Sequence, residues 1–89
     1  MTEYFYKGPC SSCASHTSGI GIDGKGNIWF DDSLQNVIGT FPLNGSGSFS
    51  FASAPTSNGH PHDGLIVDPR NRVWFSEEFA NKVALAIPS

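Results

Sequence analysis

Short runs of alternating apolar and polar residues recur along the chain, and turn-forming residues separate them. The runs predict strands at 20–22, 27–30, 36–41 and 48–51, and again at 65–67, 72–75 and 82–87. Glycine and asparagine concentrate at 23–27 and 43–47, which predicts turns there. No helical period is visible beyond a single turn at 33–35. The pattern therefore predicts an all-β protein.

The chain contains an internal repeat. Residues 19–40 match residues 64–85 without a gap, at an offset of 45 residues, and five of the 22 aligned positions are identical. The identical pairs are Gly19 and Gly64, Asp23 and Asp68, Trp29 and Trp74, Phe30 and Phe75, and Asn36 and Asn81. Unrelated segments share about one or two positions by composition alone. A period of this length with a Trp-Phe pair is typical of a four-stranded β-propeller blade.

The repeat predicts one two-blade module over 1–89. A closing strand at 3–6 and a cysteine loop occupy 1–18, the first blade occupies 19–58, and the second blade occupies 59–89 without an outer strand. Two blades alone leave apolar faces and a strand edge uncovered. We therefore expect a head-to-tail homo-oligomer in which the N-terminal strand completes the last blade of a neighbouring subunit. A trimer is favoured and a tetramer comes next. The alternative is a portion of a longer propeller.

The composition of the chain limits the classes of partner that it is expected to bind. The 89 residues carry 8 acidic and 5 basic side chains, a formal charge of −3, and no basic run, which argues against nucleic acid. The longest apolar stretch, 83–87, is far shorter than the roughly 20 residues that span a bilayer, so no membrane partner is expected. The N-terminus has no apolar signal core, which predicts a cytoplasmic chain as encoded, or an extracytoplasmic one if a leader was removed.

Cys10 and Cys13 form a Cys-x-x-Cys pair, and His16 follows three residues later. Structural zinc needs four ligands, usually from two such pairs, and the chain has one pair; His60 and His62 could complete a site in space, but not at zinc-finger spacing. Ala14 stands where haem attachment would require histidine. The pair is interpreted as a loop pair, free or disulfide-linked, with a zinc site as the alternative.

Two further groups of side chains are candidates for binding or catalysis. His60-Pro-His62-Asp63 precedes a predicted inner strand, where propellers bind ligands near the central channel. Glu77 and Glu78 follow Trp74-Phe75, as Asp31 and Asp32 follow Trp29-Phe30, and strand-end carboxylates can hold Mg²⁺. The alternatives are a solvated proline-rich turn and two hydrophilic turns. The Trp-Phe pairs are expected to form core between blades.

The two blades resemble those of the streptogramin lyase (virginiamycin B lyase) family. A typical blade there contains Pro-His-Gly-Ile, Asp, Gly-Asn-x-Trp-Phe-Thr-Glu and Asn-x-Ile-Gly. The first blade matches in Gly19-Ile-Gly-Ile-Asp, Asn27-Ile-Trp-Phe and Asn36-Val-Ile-Gly, and the second in Pro61-His-Asp-Gly-Leu-Ile-Val-Asp, Val73-Trp-Phe-Ser-Glu-Glu and Asn81-Lys-Val. Met1-Thr-Glu-Tyr resembles the outer strand. The resemblance covers nearly the whole chain, except 10–15.

The resemblance implies a seven-bladed single-chain fold and Mg²⁺-dependent elimination that opens a cyclic depsipeptide. By motif, His62 matches the general base and Glu77 a glutamate that helps hold the metal. Two departures stand out in this sequence. Asp63 is inserted between His62 and Gly64, and Thr17-Ser18 replaces Pro-His in the first repeat.

The sequence as a whole predicts an oligomer-forming propeller module that binds a small ligand or a metal at the central channel. The expected ligand-binding residues are His60, Asp63 and Asp32. One alternative is a Mg²⁺-dependent lyase, with His62 and Glu77 catalytic and Glu77 and Glu78 on the metal. The other is a structural or cryptic propeller fragment without activity.

Overall fold

Two antiparallel sheets, one for each sequence repeat, make up the molecule. The computed structural model describes residues 3–6, 8–43 and 49–87. The elements are β1 (Thr17–Ile22), β2 (Asn27–Asp32), β3 (Val37–Pro42), β4 (Ser50–Ser53), β5 (Pro61–Val67), β6 (Val73–Glu77), a 3₁₀ turn (Glu78–Ala80) and β7 (Lys82–Ala86). The first sheet has the order β1-β2-β3-β4 and the second the order β5-β6-β7. The predicted all-β class and the two-blade strand pattern are confirmed.

Three details differ from the sequence prediction. β5 begins at Pro61, so His62 and Asp63 lie inside a strand and not in the loop before it. The only helical turn in the described ranges is at Glu78–Ala80, because 33–35 forms a non-helical turn. The described residues 3–6 lie outside any strand in this single chain, and the predicted pairing with a neighbouring subunit stays a prediction. Residues 44–47 of one predicted turn, and residues 1–2, lie outside the described ranges.

The turn between β1 and β2 is built around Asp23. Its Oδ1 accepts hydrogen bonds from the backbone N–H groups of Lys25 (2.8 Å) and Asn27 (3.0 Å), and its Oδ2 accepts one from Trp29 Nε1 (2.8 Å). Burial by itself would raise the pKa of Asp23, but these hydrogen bonds, led by that from Trp29, lower it. The carboxylate therefore closes the turn and anchors the tryptophan at the same time.

Asp68 has the same role in the second sheet. It accepts hydrogen bonds from the backbone N–H groups of Arg70 and Arg72, from the Arg72 side chain (2.7 Å) and from Trp74 Nε1 (2.9 Å). The Trp74 hydrogen bond lowers the pKa of Asp68. The aspartate and the tryptophan that both repeats share at the same spacing thus have a structural role, because each carboxylate closes a turn and holds the tryptophan. Asp23 and Asp68 are called the turn aspartates below.

The core lies between the two sheets, where β1 packs beside β5. Buried side chains from both sheets form one cluster: Trp29, Ile38, Ala54, Leu65, Val73, Phe75 and Ala84. β1 and β5 are the first strands of their sheets. Because these two strands pack side by side, the residues that precede them lie next to one another. This packing brings distant parts of the sequence together at one end of the molecule.

Large apolar side chains remain exposed on the outer faces of the sheets. Val83 and Ile87 in and after β7 are each 72% exposed, and Ile20 in β1 is 71% exposed. On the first sheet, Tyr6 packs edge-on against Phe30, with ring centroids 4.8 Å apart. No helix in the described part of the chain has the length and apolarity to span a membrane.

Candidate functional site: the histidine cluster

All three histidines of the chain converge at the end where β1 and β5 begin. The ring centroids of His16 and His62 lie 5.3 Å apart, and those of His60 and His62 lie 5.4 Å apart. Glu78 contacts this group through its carboxylate. We call His16, His60, His62 and Glu78 the histidine cluster. The sequence singled out His16 together with the cysteines, as part of a site that His60 and His62 could complete in space, and the structure places His16 against His62.

His62 is the central member. Its Nδ1 lies 3.2 Å from Glu78 Oε2 and 3.3 Å from Asp63 Oδ2. The side chain is 25% exposed, while those of Asp63 and Glu78 are 72% and 52% exposed. An imidazole nitrogen between two carboxylates can donate a proton to them or can share a cation with them.

A bulge in β5 directs His62 into this position. Residues 62–64 of β5 face the single residue Ser76 of β6, whereas in β1 residues 18–19 face Asp31. The second repeat therefore has one more residue in its bulge, and Asp63 occupies it with a φ of 61°. This left-handed conformation is uncommon outside glycine and is more tolerable for aspartate than for most residues.

A hydrogen-bonded chain links the two bulges. Ser18 Oγ donates to Asp31 Oδ1 (2.8 Å) and accepts from the backbone N–H of Asp63 (2.9 Å). Asp31 is fully buried, and its Oδ1 also accepts from the backbone N–H of Gly19. The entry to β1 and the entry to β5 are thus held in a defined relation across the sheet boundary.

The backbone N–H and the backbone carbonyl of His60 both form hydrogen bonds. Its N–H donates to Asn36 Oδ1 (3.1 Å), and its carbonyl accepts from the N–H of Glu78 (3.1 Å). Its ring stacks on Phe79, with centroids 3.9 Å apart and planes inclined by 7°. Ligand atoms of His60, His62 and Glu78 all lie within 4.8 Å of one another. Across the described ranges, this is the one group of three such residues with that spacing.

Glu77 and Glu78 differ in burial, because Glu77 ends β6 and Glu78, whose side chain is 52% exposed, begins the 3₁₀ turn. Val73, Phe75 and Glu77 form the buried face of β6, and Glu77 is 1% exposed. Its Oε2 has no hydrogen-bond partner in the described part of the chain, and a Cβ at Gly59 would lie 2.6 Å from it. Gly59 therefore leaves room for this carboxylate. The structure does not bring Glu77 into the histidine cluster.

Asp32, the counterpart of Glu77, is also fully buried. Its carboxylate accepts hydrogen bonds from the backbone N–H groups of His16 (3.1 Å) and Gln35 (3.1 Å) and from the Tyr6 hydroxyl (2.8 Å). Burial alone would raise the pKa of Asp32, and these donors lower it. Burial and the Asp32 hydrogen bond raise the pKa of Tyr6. Asp32 thus holds the segment that carries His16 through the His16 N–H, and its part in ligand binding stays a prediction.

The structure joins Cys10 and Cys13 in a disulfide, with their Cα atoms 5.3 Å apart. Gln35 docks this loop, since its Oε1 accepts from the N–H of Cys10 (3.0 Å) and its Nε2 donates to the Cys10 carbonyl (3.1 Å). Of the alternatives for this pair, the structure contains the disulfide, and sulfur atoms joined in this way do not serve as zinc ligands.

Comparison with known proteins places the fold among propellers. No protein-family model matches the chain, and no match was found among curated proteins. Among solved structures, a streptogramin B lyase matches 80% of this chain at 28% identity with a TM-score of 0.73, over 23% of its own length.

Two structures of virginiamycin B lyase from Staphylococcus aureus also match. One is a catalytically inactive form with quinupristin, at 23% identity and a TM-score of 0.73, over 86% of this chain and 25% of that one. The other is the selenomethionine-substituted protein, at 24% identity and a TM-score of 0.72, over 99% of this chain and 31% of that one. The chain thus spans at most 31% of these lyase chains.

Proposed function

We propose that this chain, a two-blade module similar to the streptogramin lyase β-propellers, binds a small ligand or a metal ion at the histidine cluster. The observation that carries the proposal is the convergence of three imidazoles and one carboxylate where the first strands of both sheets begin. The first strands of propeller blades line the central channel, which is where propellers bind ligands.

The construction of the cluster supports the proposal. His60 and Glu78 are fixed by backbone hydrogen bonds, and the Ser18 link holds the bulge that carries His62. Side chains held in place before binding lose little conformational freedom when a ligand arrives. Partial exposure leaves the nitrogen and oxygen atoms accessible.

A thermal-shift panel tests the proposal. Divalent cations, small carboxylates, phosphates and sugars are added in turn, and a ligand of the folded state should raise the Tm through linkage. The His62→Asn variant should lose the shift, while Glu3→Gln, an exposed site outside the cluster, should keep it. A folded protein that responds to no ligand would refute the proposal and favour a structural or cryptic fragment without activity.

A second candidate function is elimination that opens a cyclic depsipeptide. It is favoured by the 28% identity to a streptogramin B lyase and by the position of His62 in the Pro-His motif. The residues do not fit the Mg²⁺ that the resemblance implies. Mg²⁺ prefers oxygen ligands, whereas Glu77 is buried and the exposed Glu78 contacts the imidazole of His62. These two glutamates therefore do not form an oxygen-rich site for that ion.

Incubation with a streptogramin B substrate, with and without Mg²⁺, tests this candidate. Elimination leaves the mass of the opened product unchanged, whereas hydrolysis adds a water, so chromatography with mass spectrometry separates the two. His62→Ala should abolish ring opening if His62 is the base. An intact substrate, or opening that this variant leaves unchanged, would exclude His62-dependent lyase activity.

We further propose head-to-tail self-association, with a trimer favoured and a tetramer next. The second sheet has three strands where the first has four, and Val83 and Ile87 lie exposed at its β7 side. Residues 3–6 of a neighbour would add the fourth strand at β7. In such a ring this segment lies beside its own first sheet as well, which is compatible with the packing of Tyr6 on Phe30.

Native mass spectrometry tests the assembly. A closed multiple of the chain mass is expected, and deletion of residues 1–6 should dissolve it. A well-folded monomer at micromolar concentration would refute the ring and leave a portion of a longer propeller as the alternative.

A further inference from the structure

We infer that His60, His62 and Glu78 form a site for a first-row transition metal of the Zn²⁺ class and not for Mg²⁺. We call these three residues the metal triad. The inference deepens the ligand-binding function proposed above, on which it rests, by naming the chemical class of the ion.

The donor atoms decide the class of metal. The metal triad offers two imidazole nitrogens and one carboxylate oxygen. Imidazole suits zinc, copper, iron and nickel, and two histidines with one glutamate are a known three-ligand set for zinc. Mg²⁺ demands an octahedral set of oxygen ligands and retains several waters. Two of the three donors are therefore wrong for Mg²⁺.

The distances are compatible with one shared ion. His62 Nδ1 and Glu78 Oε2 lie 3.2 Å apart. Two ligand atoms about 2.0–2.1 Å from a tetrahedral zinc ion are separated by about 3.4 Å. The His60 donor lies within 4.8 Å of both, so an approach of about 1–1.5 Å completes the set, which side-chain torsions can supply.

The local backbone keeps the metal triad assembled before a metal binds. The hydrogen bond from Glu78 N–H to the His60 carbonyl joins two of its members directly, and the N–H of Phe79 donates to the Gly59 carbonyl (3.1 Å). The Phe79 ring then sets the plane of the His60 imidazole. His60 itself has a φ of 57°, and such conformations cluster at functional sites.

The metal triad supplies three ligands to a tetrahedral ion, and the fourth position is left for a water, an added ligand or the Asp63 carboxylate, whose Oδ2 lies 3.3 Å from His62 Nδ1. Catalytic and ligand-binding zinc sites have this arrangement, whereas structural sites have four protein ligands. His16 stacks beside His62, with ring centroids 5.3 Å apart, so a third imidazole lies next to the metal triad.

Isothermal titration calorimetry on the 89-residue chain, without a histidine tag and stripped with a chelator, tests the inference. We expect Zn²⁺ to bind at one per chain and Mg²⁺ to give no heat at the same concentrations. Loss of outer-shell partners of a metal typically costs about 10–100-fold in affinity, so loss of a direct ligand should cost at least about tenfold. Glu78→Gln should therefore weaken Zn²⁺ binding at least about tenfold, whereas Glu3→Gln should leave Zn²⁺ binding unchanged.

Two further variants complete the design. His60→Asn should also weaken Zn²⁺ at least about tenfold. The visible absorption of bound Co²⁺ should report four-coordination in the wild type and lose intensity in this variant. Glu78 is 52% exposed, so its substitution is not expected to impair folding, and circular dichroism checks this. Cys10→Ser should leave Zn²⁺ affinity unchanged.

The outcomes separate this inference from the proposed function. Mg²⁺ binding as tight as Zn²⁺ would overturn the inference and leave metal binding at the cluster intact. Zn²⁺ binding that Glu78→Gln and His60→Asn do not weaken, or that Cys10→Ser abolishes, would move the site elsewhere and overturn it. If no metal ion binds but another ligand still binds at the histidine cluster, the inference alone is overturned. If no ligand of any kind binds, both the inference and the proposed function are overturned.

Discussion

Replacement of Asp23 by alanine should destabilise the protein by about 2–5 kcal/mol. The substitution leaves the buried Trp29 Nε1–H without its acceptor, at a cost of about 1–3 kcal/mol. The N–H groups of Lys25 and Asn27 lose an acceptor too, but they lie nearer to water, and each adds about 0.5–1 kcal/mol. For a domain of this size, the expected fall in Tm is at least about 8 °C.

The repeat supplies a matched comparison for this prediction. The hydrogen bond from Trp74 to Asp68 is 2.9 Å long, close to the 2.8 Å of its counterpart in the first sheet, but it is only partly buried. Solvent can replace the lost acceptor there. Loss of the tryptophan hydrogen bond should therefore lower the unfolding free energy less in Asp68→Ala than in Asp23→Ala. Because Asp68→Ala also removes the contact with Arg72 (2.7 Å), it is measured in an Arg72→Ala background, and the difference then reports the burial of the tryptophan hydrogen bond.

A double-mutant cycle with Trp29→Phe isolates the hydrogen bond from the lost ring volume. Urea unfolding followed by circular dichroism gives the free energy of unfolding of Asp23→Ala, Trp29→Phe and the double variant. The coupling energy should exceed about 1 kcal/mol. Additivity within about 0.5 kcal/mol, or an Asp23→Ala variant as stable as the wild type, would show that the carboxylate does not anchor the tryptophan.

Three other predictions follow from the same structure. The pKa of both turn aspartates lies below its ordinary value, so their contribution to stability is complete above pH about 4 and is lost as the pH falls through the lowered values; a Tm unchanged down to pH 2 would contradict this. A Cβ at Gly39 would overlap Phe30 Cζ, so Gly39→Ala should lower the unfolding free energy measured in urea by about 1–3 kcal/mol, and a neutral result would show that the ring moves freely. Tyr6→Phe removes a hydrogen bond to the Asp32 carboxylate and should cost about 1.5–3 kcal/mol, measured as the fall in Tm against Tyr4→Phe.

The strands and their order were predictable because their signals are local. Alternation and turn residues lie within a few positions of each other, and the repeat presents the same signals twice. The Asp-to-Trp spacing was visible as an identity between the repeats, although the hydrogen bond that explains it was seen only in the three-dimensional structure.

The candidate site was predictable only in part. His60, His62, Asp63 and Glu78 stood out in the sequence as short-range groups. The separation of Glu77 from Glu78 depends on which face of β6 turns toward the core, and the first sheet supplies part of that core. The bulge at Asp63 depends on the pairing register of β5 with β6.

By itself, the sequence determined two β-sheets with a common design, because strand period, turn chemistry and repeated residues act over short distances. Only the tertiary structure decided which side chains meet. His16 reaches His62 because β1 packs beside β5, and that contact joins residues far apart in the chain. Apolar burial drives this packing without regard to the polar groups at the strand ends, so the histidine cluster could not be deduced from spacing.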